Sequence, residues 1–184
     1  MKTGGVGGAH TARAGSDYEK LTHDLLISDL QKIGYEIKEI KPGNNSPRGI
    51  SMAGPRSTTI EFYFKAAIHK DFFEPRGVRS ADYFSARLEP DTAIYSESTK
   101  TLTIIEKKQQ TTTGSVAEKL QTCDFKMLYY TTLCRPLGIK VDLIWQLGEY
   151  FKRQEKQLES IFKYMESKGS SYYFHKVPVD KLKI

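Results

Sequence analysis

Apolar residues recur at helical spacing in three segments of the chain. The first, residues 16–34, carries an apolar stripe and opens with Ser16 and Glu19 at the spacing of a capping box, in which the two side chains bond each other's backbone N–H groups. Residues 115–134 repeat the same arrangement, and residues 150–168 carry a third apolar stripe. The pattern therefore predicts three helices.

Segments rich in β-branched and aromatic residues lie between these helices. Residues 138–147 alternate apolar and polar side chains, the period-two signature of a half-buried strand. Residues 87–108 read as two strands joined at 97–100, which predicts a β-hairpin. Three further strands are predicted at residues 35–40, 58–68 and 171–175.

Two segments lack either periodicity. Residues 1–15 are rich in glycine and are predicted to form a flexible arm, which leaves residues 16–184 as a single domain. Residues 41–57 are rich in proline, glycine and asparagine, and they are predicted to form a long loop. Because loops of this length are uncommon in compact domains, a functional role is expected for it.

The composition favours a globular protein that works in the cytoplasm. Apolar residues make up 39% of the 184 residues and charged residues 27%, which is enough to build one core. No run reaches the ~18 apolar residues of a membrane span, and residues 1–16 lack the apolar stretch of a secretory signal. Cys123 and Cys134 are about three turns apart on one predicted helix, so they are expected to be core thiols rather than a disulfide.

The formal charge of +6 and the pI near 9.1 favour a polyanionic partner, since lysine and arginine neutralise phosphates and release counterions. Charge alone does not identify that partner. With two cysteines, no CxxC pair and four scattered histidines, a structural zinc site has little support.

The predicted hairpin brings two carboxylates together. If the turn pivots between residues 98 and 99, Tyr95 faces Leu102 and Asp91 faces Glu106. Cβ atoms of directly opposed residues lie about 4.5–5.5 Å apart, and like charges at that distance repel, so a cation is expected between the carboxylates. Lys108 shares the face of Glu106 because side chains alternate along a strand.

Two interpretations of this geometry remain open from the residues alone. Asp91 and Glu106 could hold a hard cation such as Mg²⁺, with Lys108 orienting a water molecule or stabilising developing charge. Alternatively, the hairpin is a solvated surface feature in which Lys108 pairs with Glu89, its opposite number in the same register.

The motif itself resembles that of a known family. Pro90-Asp91, fourteen intervening residues and then Glu106-Lys107-Lys108 look like the core motif of the PD-(D/E)XK nucleases, which include many type II restriction endonucleases. The order of predicted elements over residues 16–147 is also similar to that family's core. The resemblance implies an α/β, restriction-endonuclease-like fold, in which helices flank a central mixed β-sheet that is mainly an antiparallel meander.

The resemblance also implies roles for individual residues. Asp91 and Glu106 would be metal ligands for Mg²⁺, and Lys108 would be the catalytic lysine. Some members of the family use a glutamate on the first helix and a glutamine two residues after the lysine, which would fall on Glu19 and Gln110 as auxiliary residues. Glu19 also has a structural explanation as the capping-box partner of Ser16.

Arginines in or next to the predicted loops are candidates for DNA contact. Phosphate binding and base reading are both open to them, because arginine can do either. The five candidates are Arg48, Arg56, Arg76, Arg79 and Arg87.

These observations favour a Mg²⁺-dependent, restriction-type endonuclease that hydrolyses phosphodiester bonds of double-stranded DNA. It could act as a homodimer, or as the small cleavage subunit beside a larger DNA-recognition subunit. Two alternatives remain: a structure-specific nuclease, such as a junction resolvase or repair nuclease, and a catalytically inert DNA-binding module.

Overall fold

The computed structural model describes residues 8–44, 46–110 and 116–184, and these residues form one seven-stranded sheet with helices on both faces. The strands lie side by side in chain order. They are β1 (Glu36–Lys41), β2 (Gly49–Ala53), β3 (Thr59–Tyr63), β4 (Thr92–Ser96), β5 (Thr101–Lys108), β6 (Lys140–Leu147) and β7 (Ser170–Phe174). The α-helices are α1 (Gly8–Lys32), α2 (Val116–Leu120), α3 (Cys123–Cys134), α4 (Glu149–Arg153) and α5 (Glu159–Ser167).

The sheet is mixed. Strands β1 to β5 form an antiparallel meander, whereas β6 runs parallel to β5 and β7 runs parallel to β6. Two parallel neighbours need a crossover connection, and the chain supplies it with α2 and α3 before β6 and with α4 and α5 before β7. The α/β class and the mixed sheet flanked by helices are therefore confirmed. The parallel pairs β5–β6 and β6–β7 correct the expectation that this sheet is mainly antiparallel.

Alternation along the strands produces two cores. Ile105 faces α1, where it belongs to the same buried cluster as Leu26 and Leu30. Its neighbour Ile104 faces the other way and belongs to the cluster that contains Tyr130 of α3. Central strands are thus covered on both faces, which explains why β6 is almost fully buried towards its end rather than half-buried as predicted.

The predicted hairpin is confirmed with its register. Tyr95 pairs with Leu102 and Ala93 pairs with Ile104, as the pivot between residues 98 and 99 requires. The strands predicted at residues 35–40, 138–147 and 171–175 are confirmed within one or two residues at each end.

Other predictions need correction. The long loop at residues 41–57 contains β2, a five-residue strand held between β1 and β3 that buries Ile50 and Met52. The strand was missed because its flanks are rich in proline and glycine and because five residues are too few to show clear alternation. Pairing with a neighbour on both sides stabilises it.

The helices also differ from the predicted ones. The first begins at Gly8 rather than at Ser16, so the predicted capping box does not mark its start, and only residues 1–7 of the predicted arm lie outside the described residues. The second is divided into α2 and α3 by a turn at 121–122, and its predicted cap, Ser115, also lies outside the described residues. The third is divided into α4 and α5.

The two cysteines are buried free thiols, as predicted, and burial raises the pKa of Cys134 to about 12. Of the helices that the structure describes, none is both long and apolar enough to cross a membrane.

Leu30→Ala should destabilise the protein, because Leu30 is fully buried between α1 and the sheet. Removing a buried leucine side chain costs about 2–5 kcal/mol of unfolding free energy through lost burial and the cavity that remains. Urea unfolding followed by circular dichroism measures this cost. The matched control is Leu21→Ala on the same helix, where 58% of the residue is exposed and the expected change is below about 0.5 kcal/mol. Equal costs for the two variants would contradict the packing of α1 described above.

Candidate active site

The predicted acidic residues lie together at one edge of the sheet, where β5 ends and β4 begins. Asp91 immediately precedes β4, and its Oδ2 accepts a hydrogen bond of 2.7 Å from the backbone N–H of Lys107. Glu106 and Lys108 are at the end of β5, on the same face as Ile104. The hairpin therefore presents Asp91, Glu106 and Lys108 side by side.

Lys108 lies between the two carboxylates. Its Nζ is 3.4 Å from Oδ2 of Asp91 and 3.2 Å from Oε2 of Glu106. Glu89, the alternative partner of Lys108, forms its ion pair with Arg87 at 2.7 Å instead. The interpretation of the hairpin as a surface feature with a Lys108–Glu89 pair is thus wrong.

A second lysine holds the other oxygen of Glu106. Lys126, on α3, places its Nζ 2.6 Å from Oε1 of Glu106, whose side chain is only 3% exposed. Trp145 is the neighbour of Glu106 on β6, and the ammonium groups of Lys126 and Lys108 lie 5.9 and 5.8 Å from its ring centroid. Two cations therefore fix the Glu106 carboxylate in one position, and the Trp145 ring packs beside both of them.

A third lysine holds Asp91 from the opposite side. Lys65 follows β3, and its Nζ lies 2.7 Å from Oδ1 of Asp91 and 2.7 Å from Oε2 of Glu19. Glu19 is thus linked to Asp91 by one shared ammonium group. The structure brings Glu19 to the site and, because α1 begins at Gly8, removes the predicted capping-box role.

Lys107 contacts α1 on the reverse face of the sheet. Its Nζ donates to the backbone carbonyl of Glu19 at 3.2 Å, and this hydrogen bond fixes where α1 lies along β5. Burial lowers the pKa of Lys107 to about 8, although the charges of Asp91 and Glu19 act to raise it. Lys107 therefore positions the helix that carries Glu19.

The charges of Asp91 and Lys108 stabilise each other. Burial acts to raise the pKa of Asp91, but the ammonium groups of Lys108 and Lys65 outweigh it, so this pKa lies below its ordinary value. Burial acts to lower the pKa of Lys108, but Asp91 and Glu106 outweigh it, so this pKa lies above its ordinary value. At neutral pH Lys108 is consequently an ammonium ion that donates hydrogen bonds, and Asp91 is a carboxylate that accepts them.

Two carboxylates directed at a common cation are a suitable donor set for Mg²⁺. Asp91 and Glu106 each place an oxygen within 3.4 Å of the same Lys108 nitrogen, so both can approach one small ion. Mg²⁺ commonly takes one or two carboxylates and completes its shell with water and substrate phosphate. Among the described residues there is no group of three or more histidine, cysteine or acidic side chains that could hold a metal.

The other auxiliary candidate, Gln110, is buried just beyond the end of β5. Its role in the site remains a prediction.

The candidate DNA-binding arginines fall into different environments. Arg76 packs over the Phe72 ring at 4.1 Å and donates to the Phe72 carbonyl at 3.0 Å, which gives it a structural role. Arg56 lies in the turn between β2 and β3, and this turn is at the edge of the sheet opposite Asp91. Neither arginine lies beside the carboxylates.

The remaining three arginines are exposed and form ion pairs near the protein surface. Arg48 precedes β2 at the same edge of the sheet as Asp91 and pairs with Asp71 at 3.3 Å. Arg79 pairs with Asp82, and Arg87 pairs with Glu89. DNA contact remains a prediction for Arg48, Arg79 and Arg87.

Lys65 and Lys126 are site residues that the sequence reasoning missed. Lys126 had a usable signal, because it is three residues after Cys123 and four before Tyr130 and so interrupts the buried stripe of its helix. Lys65 had none, because the strand was predicted to continue through it to residue 68, whereas β3 ends at Tyr63.

Comparison with protein-family models, with curated proteins and with solved structures gives no match.

His23, on α1, packs edge-on against Phe64 with ring centroids 4.3 Å apart, and burial lowers its pKa to about 4. The unfolded chain, with an ordinary histidine pKa near 6.5, binds the proton first as the pH falls. His23 should therefore reduce the free energy of unfolding, by up to about 3 kcal/mol, between pH 6.5 and 4.

His23→Leu should flatten the pH dependence of stability in that interval. Urea unfolding of both proteins at a series of pH values measures the difference. Above pH 7 their slopes should coincide, since His23 is then neutral in both states and this comparison serves as the internal control. Parallel curves down to pH 4 would contradict a histidine that is buried and neutral.

Proposed function

We propose that this protein is a Mg²⁺-dependent DNA endonuclease of restriction type, built on a restriction-endonuclease-like core. The observation that carries the proposal is the convergence of Asp91, Glu106 and Lys108 at one edge of the sheet. The nuclease motif requires two acidic side chains and a lysine in this order along a hairpin. Their contacts support the assignment because the register that brings them together was predicted from the motif-bearing strands alone.

Asp91 and Glu106 would hold the cation. When bound, Mg²⁺ supplies Lewis-acid chemistry, polarising a phosphoryl oxygen and lowering the pKa of a bound water. Lys108, an ammonium ion between the carboxylates, would donate hydrogen bonds to the attacking water and to the phosphate oxygen on which negative charge develops. Its raised pKa favours this electrostatic role over that of a general base.

The surrounding residues would preserve this geometry. Lys126, beside the Trp145 ring, would keep the Glu106 carboxylate in place, and Lys107 would fix the position of α1, which carries Glu19. Three lysines, Lys65, Lys108 and Lys126, pair with three carboxylates around the site, those of Glu19, Asp91 and Glu106, so a bound Mg²⁺ would leave an excess of positive charge. A phosphodiester anion is the substrate that such an excess of positive charge favours.

Double-stranded DNA is the proposed substrate, bound by a homodimer or by this chain together with a larger recognition subunit. Besides the sheet and the α-helices that cover it, the described residues include the segment between β3 and β4, which contains short helical turns and carries Arg76, Arg79 and Arg87. Sequence recognition would therefore depend on loops such as the one bearing Arg48, on a second copy, or on the larger subunit.

Asp91→Asn and Lys108→Met should each reduce Mg²⁺-dependent DNA cleavage at least about 10²-fold, the usual loss when a group that stabilises transition-state charge is removed. Both variants should fold, since Glu106 keeps Lys126 as a partner and the side-chain oxygen of the introduced asparagine can still accept from the Lys107 N–H. Plasmid nicking rates measure the loss, and circular dichroism verifies the fold.

The matched controls are Glu97→Gln and Lys100→Met, which alter an acidic and a basic residue at the opposite edge of the sheet and should leave the rate unchanged. Wild-type nicking rates in both site variants would contradict the nuclease assignment.

Plasmid DNA incubated with Mg²⁺ and the protein, alone and with candidate larger subunits, should distinguish the assemblies. Double-strand breaks at defined positions by the protein alone indicate a homodimer. Cleavage that appears only after a larger subunit is added indicates the heterodimer. Cutting confined to branched substrates would replace the restriction-type assignment with a structure-specific nuclease.

A further inference from the structure

Lys65 is the most exposed of the lysines that contact the site carboxylates. Its side chain is 47% exposed, against 21% for Lys108 and 17% for Lys126. The carboxylates that it bridges are less accessible than Lys65 itself, at 34% for Glu19 and 11% for Asp91. A polyanion approaching the site from solvent would therefore meet Lys65 first.

The Lys65 ammonium group is the positive charge on the Oδ1 side of the Asp91 carboxylate. It lies 2.7 Å from Oδ1 of Asp91 and 2.7 Å from Oε2 of Glu19, while Lys108 occupies the Oδ2 side of Asp91. A divalent ion that binds Asp91 would repel an ammonium group at this distance. Each of the two lysines holds two carboxylates, but Lys65 is the easier to release because it is the more exposed and its ammonium group can be hydrated at once.

The backbone keeps Lys65 beside the site when its side chain changes partners. Lys65 has a φ of +51°, in the left-handed region that residues other than glycine rarely adopt. Its N–H donates to the carbonyl of Pro90 at 3.1 Å, so the residue is tied directly to the one preceding Asp91. Strained residues of this kind persist where the surrounding structure holds them, and they are concentrated at functional sites.

We propose that Lys65 exchanges its carboxylate partners for a DNA phosphate when a divalent cation binds Asp91. The inference rests on the proposed function, in which the site binds Mg²⁺ and DNA. In the DNA-free protein Lys65 competes with the cation for Asp91, and in the complex it neutralises a phosphate. Cation and DNA consequently bind with positive coupling, each raising the affinity for the other by the same factor.

Binding of Mn²⁺ to the DNA-free protein, measured by electron paramagnetic resonance, tests the first half of the exchange. Lys65→Met should bind Mn²⁺ at least about tenfold more tightly than wild type, because it lacks the competing charge. Lys65→Arg should keep the wild-type affinity. The matched control is Lys100→Met, since Lys100 shares the left-handed backbone, with a φ of +50°, and pairs with Glu97 at the opposite edge of the sheet.

The salt dependence of binding to a short mixed-sequence duplex tests the second half. Ca²⁺ replaces Mg²⁺ in this assay because it takes the same oxygen ligands, and gel analysis verifies that the duplex stays intact. With Ca²⁺ present, Lys65→Met should lower the slope of log K against log salt concentration by about 0.9, the value for one lost phosphate contact. Without a divalent cation its slope should match that of wild type, and Lys100→Met should match wild type under both conditions.

Unchanged or weaker Mn²⁺ binding by Lys65→Met, or a slope with Ca²⁺ equal to that of wild type, would overturn the exchange. Thermal unfolding verifies that each variant is folded. These readouts are independent of cleavage. If the wild-type protein cleaves DNA but Lys65→Met keeps the wild-type Mn²⁺ affinity and salt slope, the exchange is refuted and the nuclease assignment stands. If the wild-type protein binds DNA with metal coupling that Lys65→Met alters, but never cuts DNA, the exchange is supported and the nuclease assignment is refuted.

Discussion

The ammonium group of Lys108 lies between the carboxylates of Asp91 and Glu106, and the arrangement of the whole site depends on that contact. Two carboxylates on neighbouring strands repel each other, and burial raises the cost of keeping both ionised. Glu106 is almost completely buried, so one lysine does not satisfy both of its oxygens, and Lys126 binds the second. The site is therefore a closed set of alternating charges rather than an isolated acidic pair.

Each part of the mixed sheet contributes a different component of this set. The antiparallel hairpin of β4 and β5 supplies Asp91, Glu106 and Lys108. The parallel crossover from β5 to β6 supplies Lys126 on α3, and Trp145 beside Glu106. The helix on the other face, α1, supplies Glu19. A nuclease of the kind proposed needs such convergence, because hard-cation ligands and a cationic group must meet the same phosphate.

Parts of the fold could be predicted because their signals are local. The turn at residues 97–100 was sufficient for the register of the hairpin, and alternation was sufficient to predict β6. The short strand β2 was missed, since its stability comes from pairing on both sides rather than from its own sequence. The start of α1 was missed because glycines, which disfavour helix, precede and interrupt it. The breaks in the later helices were missed because good helix-forming residues continue across them.

The sequence by itself determined that Asp91, Glu106 and Lys108 share one face at the end of a hairpin. The reason is that side-chain direction along paired strands repeats every two residues, so the register settles which residues meet. Only the tertiary structure decided that Lys65 and Lys126 contact the site carboxylates, and that Glu19, which the family resemblance suggested, is joined to Asp91 through Lys65. The lysine of α3 is 20 residues from Glu106, and the Glu19 carbonyl is 88 residues from Lys107, so no local pattern relates them. Their meeting depends on how the two layers of helices pack onto the sheet.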